Sequence, residues 1–170
     1  MSRNFQTVKR GDRFPTDATM FHIPSSGGGP TPFNLRETVQ GKRFIVVAAP
    51  GAFTSTCHEE HLPPYIKNLP TFLKKGIDFI LVITANDAFV LNSWKKALGA
   101  DSDKIIFASD TNLELANKLG LTLDLSVAGL GERTGRFALV VGKDGVVQNV
   151  FAEKGPEVKH SSADKVLAKL

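Results

Sequence analysis

The stretch Phe44-Ile45-Val46-Val47-Ala48-Ala49-Pro50-Gly51-Ala52-Phe53-Thr54-Ser55-Thr56-Cys57 decides the reading of this chain. The apolar run Phe44–Ala49 reads as a central strand. Pro50 and Gly51 open a turn, and a helix is expected to begin near Ser55 or Thr56. The only cysteine of the 170 residues therefore falls on the first turn of a helix. Unpaired N–H groups and a partial positive charge gather there and favour thiolate over thiol. An ordinary thiol, with a pKa of about 8.5, is only a few per cent ionised at pH 7. A helix end contributes about 0.3–1 kcal/mol, less than one pKa unit. A strongly activated thiol would need a cation as well. Position alone leaves two readings open: a reactive Cys57, or a small buried hydrophobe.

Outward from this stretch, strands are expected at Phe44–Ala49, Asp78–Ile83, Ile105–Ala108, Phe137–Val141 and Val146–Phe151. The last two are joined through Gly142-Lys143-Asp144-Gly145, a hairpin signal. Helices are expected at Thr56–Asn68, at Ala88–Leu98 with Asn86 or Asp87 capping and Gly99 stopping, and at Leu113–Leu119 with Gly120 stopping. An amphipathic helix is expected from Ser162 to Lys169, with Ala163, Val166, Leu167 and Leu170 on one face. Pro63-Pro64 should kink or split the first helix. Pro24-Ser25-Ser26-Gly27-Gly28-Gly29-Pro30-Thr31-Pro32 reads as a flexible connection within one domain spanning residues 1–170. Alternating β and α segments that end in a hairpin and a helix predict an α/β fold. Its mixed central sheet has parallel central strands, antiparallel strands towards one side, and helices on both faces. Ligands in such a sheet gather at the carboxyl ends of the central strands, where Cys57 lies.

Composition narrows the function classes. One cysteine excludes an internal disulfide and any metal site of several cysteines, and it fits a reducing compartment. No apolar run reaches the length of a membrane span, and Met1-Ser2-Arg3-Asn4-Phe5-Gln6 lacks the apolar core of a secretory signal. The net charge of +4 is scattered, with acidic residues interleaved, which reads as a solvated surface rather than a nucleic-acid face.

Pro50-x-x-x-Thr54-x-x-Cys57 resembles the signature of the peroxiredoxins, thiol peroxidases with a thioredoxin-like fold. His61-Leu62-Pro63 after it looks like the type 5 (type II) branch. Further matches are Asn86-Asp87-Ala88-Phe89-Val90 with Trp94, Ser109-Asp110 with Leu113, and the run Arg133–Val140. They span nearly the whole chain in the expected order.

The resemblance implies that Cys57 is the peroxidatic nucleophile and that Thr54 offers its hydroxyl to the sulfur and the peroxide oxygens. It also implies that Pro50 shields the thiolate and that Arg136 is the missing cation. Each has a plainer reading: Thr54 as a helix N-cap, Pro50 as a strand terminator, Arg136 as a surface residue before a strand. His58 adjoins Cys57 but points about 100 degrees away on a helix, which disfavours a Cys–His pair. His61, four residues on, shares the face of Cys57 and has a structural or orienting role in the resemblance. Glu60 either meets Arg136 or faces solvent. Arg133 is expected to support the site, and Trp94 to pack.

Two departures from the family pattern stand out. Ser55 replaces a common proline, and there is no second cysteine to resolve a sulfenic acid. The resemblance then implies a one-cysteine cycle closed by an external thiol, glutathione or a thioredoxin-type protein, on hydrogen peroxide and organic or lipid hydroperoxides. It implies no cofactor and no metal, and a homodimer. The same departures keep open a non-catalytic thioredoxin-fold protein, a holdase or a redox sensor. Finally, Ala168-Lys169-Leu170 is a variant of the Ser-Lys-Leu address read by a peroxisomal import receptor. It favours the peroxisome over the cytoplasm, provided Leu170 does not simply pack.

Overall fold

Strand β3 (Phe44–Ala48) shows how this fold is built, because its side chains serve two cores at once. Phe44, Val46 and Ala48 enter one apolar cluster, while Ile45, Val47 and the following Ala49 enter another on the opposite face. A strand buried on both faces has no position for a polar residue, which is why the run is uninterrupted. The computed structural model describes residues 6–155 and 157–170.

Strands β4 (Phe79–Thr84) and β5 (Ile105–Ser109) extend β3 in parallel. Strand β8 (Phe137–Val141) pairs antiparallel with the other edge of β3, and β9 (Val147–Ala152) with β8. Two short strands, β1 (Met20–His22) and β2 (Thr31–Phe33), continue the sheet beyond β5, giving the order β2-β1-β5-β4-β3-β8-β9. The mixed sheet is as expected, but antiparallel strands flank it on both sides. The segment expected to be a flexible connection supplies β2. Pro32 is accommodated there because β2 is an edge strand, paired only with β1.

Helix α1 (Leu35–Val39) packs on one face of the sheet, together with α5 (Glu114–Leu119) and the segment holding Val8 and Phe14. On the other face lie α2 (Leu62–Lys67), α3 (Leu69–Lys74), α4 (Ala88–Ala97) and α6 (Ala163–Leu167). Asp87 caps α4 by accepting from the Val90 N–H, and Gly120 ends α5 in the left-handed conformation, as the sequence predicted. Ser162 caps α6. A small two-stranded sheet, β6 (Thr122–Asp124) with β7 (Glu132–Thr134), was not foreseen.

The expected helix over 56–68 is corrected. Residues Thr56–His61 form a π-helical turn, in which the Leu62 N–H donates to the Cys57 carbonyl, five residues back. Helix α2 then starts with Pro63 and Pro64 in its first turn, where missing N–H groups cost nothing. The two prolines split the helix, and the wide turn absorbs the change of register. Pro70 similarly opens α3, which the sequence reading left outside any helix.

Candidate active site

Cys57 enters the structure at the carboxyl end of β3, after a turn with unusual requirements. Phe53 adopts φ 63°, a left-handed conformation uncommon for a side chain with a Cβ. Gly51 is needed for closeness, since a Cβ there would sit 2.9 Å from Thr54 Cγ2 and 3.2 Å from Arg133 Nη1. Distant residues hold the turn. Thr134 Oγ1 donates to the Ala49 carbonyl at 2.7 Å, Arg133 Nη1 to the Pro50 carbonyl at 3.2 Å, and the Ala52 N–H to Asn86 Oδ1 at 2.8 Å. Arg133 thus supports the site, as expected, and Pro50 is buried within it.

The sulfur of Cys57 has no exposed surface. Arg136 Nη2 donates to Cys57 Sγ at 3.0 Å, and its Nη1 donates to His61 Nδ1 at 2.8 Å. Arg136 reaches the sulfur from the entry to β8, the strand antiparallel to β3, and is itself only 2% exposed. A guanidinium carries donors only, so His61 Nδ1 must accept. The proton of neutral His61 is then on Nε2, which donates to the Ser161 carbonyl at 3.2 Å. Burial, reinforced by the charge of Arg136, pushes the His61 pKa down to about 3, so the ring is neutral at physiological pH.

The other sequence candidates separate. Thr54 lies beside the site, but its hydroxyl donates to the Gly51 carbonyl at 2.7 Å, and it is not an N-cap. His58 turns away from Cys57: its Nδ1 accepts from Trp94 Nε1 at 2.9 Å, and its ring stacks on Phe53. Glu60 faces solvent. Trp94 is buried and packs against Phe107. Ser55, where the family commonly has proline, has αR geometry at the head of the π turn.

Two residues near the site were missed. Ser161 supplies the acceptor for His61 and also for the Tyr65 hydroxyl. Glu153 Oε2 holds the segment 159–161 through four donors. A serine before a helix cap and a glutamate after a strand carry no local signal of such roles.

A guanidinium against a buried thiol at a helix start can stabilise a thiolate and receive negative charge from a departing oxygen. Comparison with known proteins agrees with that chemistry. The Redoxin family model matches residues 9–167. A Candida boidinii protein, "Putative peroxiredoxin-B", is 57% identical over 164 residues, covering 96% of this chain and 98% of its own. A Lipomyces kononenkoae protein, "Putative peroxisomal peroxiredoxin", is 38% identical over 168 residues, covering 94% and 99%. Reduced Prx3 of Vibrio vulnificus, solved in complex with hydrogen peroxide, superposes with a TM-score of 0.86 at 32% identity, over 96% of this chain and 99% of that one. The chain belongs to the Redoxin family and is a peroxiredoxin, with the thioredoxin fold of that group. It is a thiol peroxidase, an oxidoreductase, with a single cysteine.

Proposed function

We propose that Cys57 is the peroxidatic nucleophile and that Arg136 is the cation that activates it. The observation carrying this reading is the 3.0 Å bond from Arg136 Nη2 to Cys57 Sγ at a helix start. The thiolate attacks the distal oxygen of ROOH, an S–O bond forms, and the O–O bond breaks. Sulfur is oxidised by two electrons to the sulfenic acid, while RO⁻ leaves and takes a proton from solvent to become ROH. The planar fork of Arg136 holds the thiolate before reaction and the developing oxyanion during it. Thr54 spends its hydrogen on Gly51 and keeps oxygen lone pairs, with which it accepts the peroxide O–H and orients the substrate. Pro50 covers the sulfur from solvent.

With one cysteine in the chain, an external thiol closes the cycle. It condenses with the sulfenic acid to a mixed disulfide, releasing water. A second thiol then attacks that disulfide and returns the Cys57 thiolate. Glutathione or a thioredoxin-type protein is the proposed donor, with hydrogen peroxide and organic or lipid hydroperoxides as substrates, in a homodimer. We further propose that Ala168-Lys169-Leu170 is read by a peroxisomal import receptor, with the cytoplasm as the alternative location. The name of the Lipomyces relative supports this. Ala168 and Lys169 are exposed, whereas Leu170 is half-buried against the cluster that also holds Cys57. A peroxide-consumption assay with glutathione and thioredoxin as alternative donors tests the cycle. Turnover with either donor supports it, and none with any thiol refutes it.

A further inference from the structure

We propose that Glu153 is a positioning residue for the peroxidase reaction, acting on Cys57 through Ser161, His61 and Arg136. The inference rests on the reading of Cys57 as nucleophile and adds what sets the guanidinium in place.

The path is continuous. Glu153 Oε2 accepts from the N–H groups of Lys159, His160 and Ser161 at 2.8, 2.7 and 2.8 Å, and from Ser161 Oγ at 2.7 Å. Those bonds fix Ser161, whose buried carbonyl accepts from both His61 Nε2 and Tyr65 Oη. Two donors occupy both lone pairs of that oxygen, so the ring of His61 has one orientation and one tautomer. Tyr65 also packs edge-on against His61 and stacks on Phe72, closing the ring in from the side. His61 Nδ1 then receives Arg136 Nη1, which aims Nη2 at the sulfur.

Glu153 bears an unusual cost in this role. Its Oε1 is buried and has no hydrogen-bond partner among the described residues. Burial opposes its ionisation, but the bonds from Ser161, Lys159 and His160 outweigh it and hold the carboxyl below the usual range. The backbone adds a second link, as the Glu153 N–H donates to the Arg136 carbonyl at 3.0 Å.

Glu153→Gln is the informative variant. An amide cannot serve all four donors at Oε2 and also satisfy its own N–H groups at the buried Oε1 position. Charge and positioning then predict opposite results. Removing a nearby negative charge would by itself ease thiolate formation and move the pH–rate profile to lower pH. Loss of positioning moves the profile to higher pH and slows Cys57 oxidation by peroxide about tenfold, as expected for a sub-ångström displacement of a catalytic group.

The experiment is stopped-flow oxidation of the full-length protein by hydrogen peroxide across pH, for wild type, Glu153→Gln, His61→Ala and the double variant. The proposal expects the slow, right-shifted profile in Glu153→Gln and no further loss when that change is added to His61→Ala. A left-shifted or unchanged profile, or losses that multiply, overturns it. A measurement on the wild type needs no variant: the ¹⁵N spectrum should show His61 protonated at Nε2 and bare at Nδ1 at pH 7. An Nδ1-protonated or charged ring overturns the proposal. A wild type whose Cys57 does not react with peroxide would instead refute the nucleophile reading beneath it.

Discussion

Arg136 and His61 are joined by a 2.8 Å hydrogen bond whose direction is fixed, because the guanidinium can only donate. The same cation donates to Cys57 Sγ from its other terminal nitrogen. It is therefore held at two points in a plane, and the histidine beside the thiol is an acceptor and not a base. A Cys–His pair in the manner of a hydrolase is excluded by this geometry, since Arg136 occupies the lone pair of His61 Nδ1 and Ser161 takes the Nε2 proton.

Arg136→Lys is expected to be damaging despite its unchanged charge. An ammonium cannot span His61 and Cys57 in the same plane. Loss of one charged hydrogen bond, about 1.5–3 kcal/mol, corresponds to roughly a ten- to hundredfold fall in the second-order rate with peroxide. Rapid-mixing kinetics checks this, and an unchanged rate would mean that Arg136 is not the activating cation.

Stability should fall on mild acidification. The folded pKa of His61 is pushed down to about 3, whereas an unfolded histidine titrates near 6.5, so the unfolded state takes up the extra proton between these values. The contribution of neutral His61 is complete above about pH 6.5 and declines as pH falls. One proton gives about 1.4 kcal/mol per pH unit, or about 2 kcal/mol lost between pH 7.5 and 5. His22, also pushed down by burial and then by Lys95, acts in the same direction. Urea unfolding at the two pH values measures the loss, and His61→Gln should make it smaller.

The complete burial of Cys57 sets an order of reactivity. With no exposed surface on the sulfur, hydrogen peroxide needs only a small local opening to reach it, whereas a bulky maleimide requires the turn at Thr56–His61 to unfold. Low urea should therefore speed maleimide labelling while slowing oxidation by peroxide. Parallel acceleration of both reactions would mean that peroxide, like maleimide, reacts only with the unfolded turn.

The half-buried Leu170 sets packing against the proposed peroxisomal address. Deleting residues 168–170 should move an N-terminally tagged protein from punctate peroxisomes to the cytosol. Losing part of one leucine's burial, about 1 kcal/mol, should lower the Tm by roughly 2–4 °C. A larger fall with no change of compartment would leave packing as the only role of Leu170.

Much of this was legible in the sequence because the signals were local. The uninterrupted Phe44–Ala49 run announced a strand buried on both faces, and Asp87 and Gly120 marked helix ends through their own side chain or backbone. Prolines misled in two places: Pro32 lies in an edge strand and Pro70 begins a helix, both positions where no N–H is needed. At the site, position alone left Cys57 open between a reactive thiol and a buried hydrophobe, and Arg136 came only from a family pattern, because 79 residues separate it from the sulfur it touches. The plainer reading of Thr54 as a cap fails because its hydroxyl turns back to Gly51. Glu153 and Ser161 carried no signal, since their importance arises only when β9 and α6 bring them beneath His61.

The central claim, that Cys57 alone performs the chemistry, is tested most directly by Cys57→Ser. Serine is close to isosteric and preserves an acceptor for Arg136, so the variant should remain folded, with a near-native melting curve. Peroxide consumption in the presence of excess thiol is the measurement. The account predicts none above the uncatalysed rate for Cys57→Ser, with a single added oxygen on Cys57 in the wild type after one equivalent of peroxide. A folded Cys57→Ser protein that still turns over peroxide would contradict it.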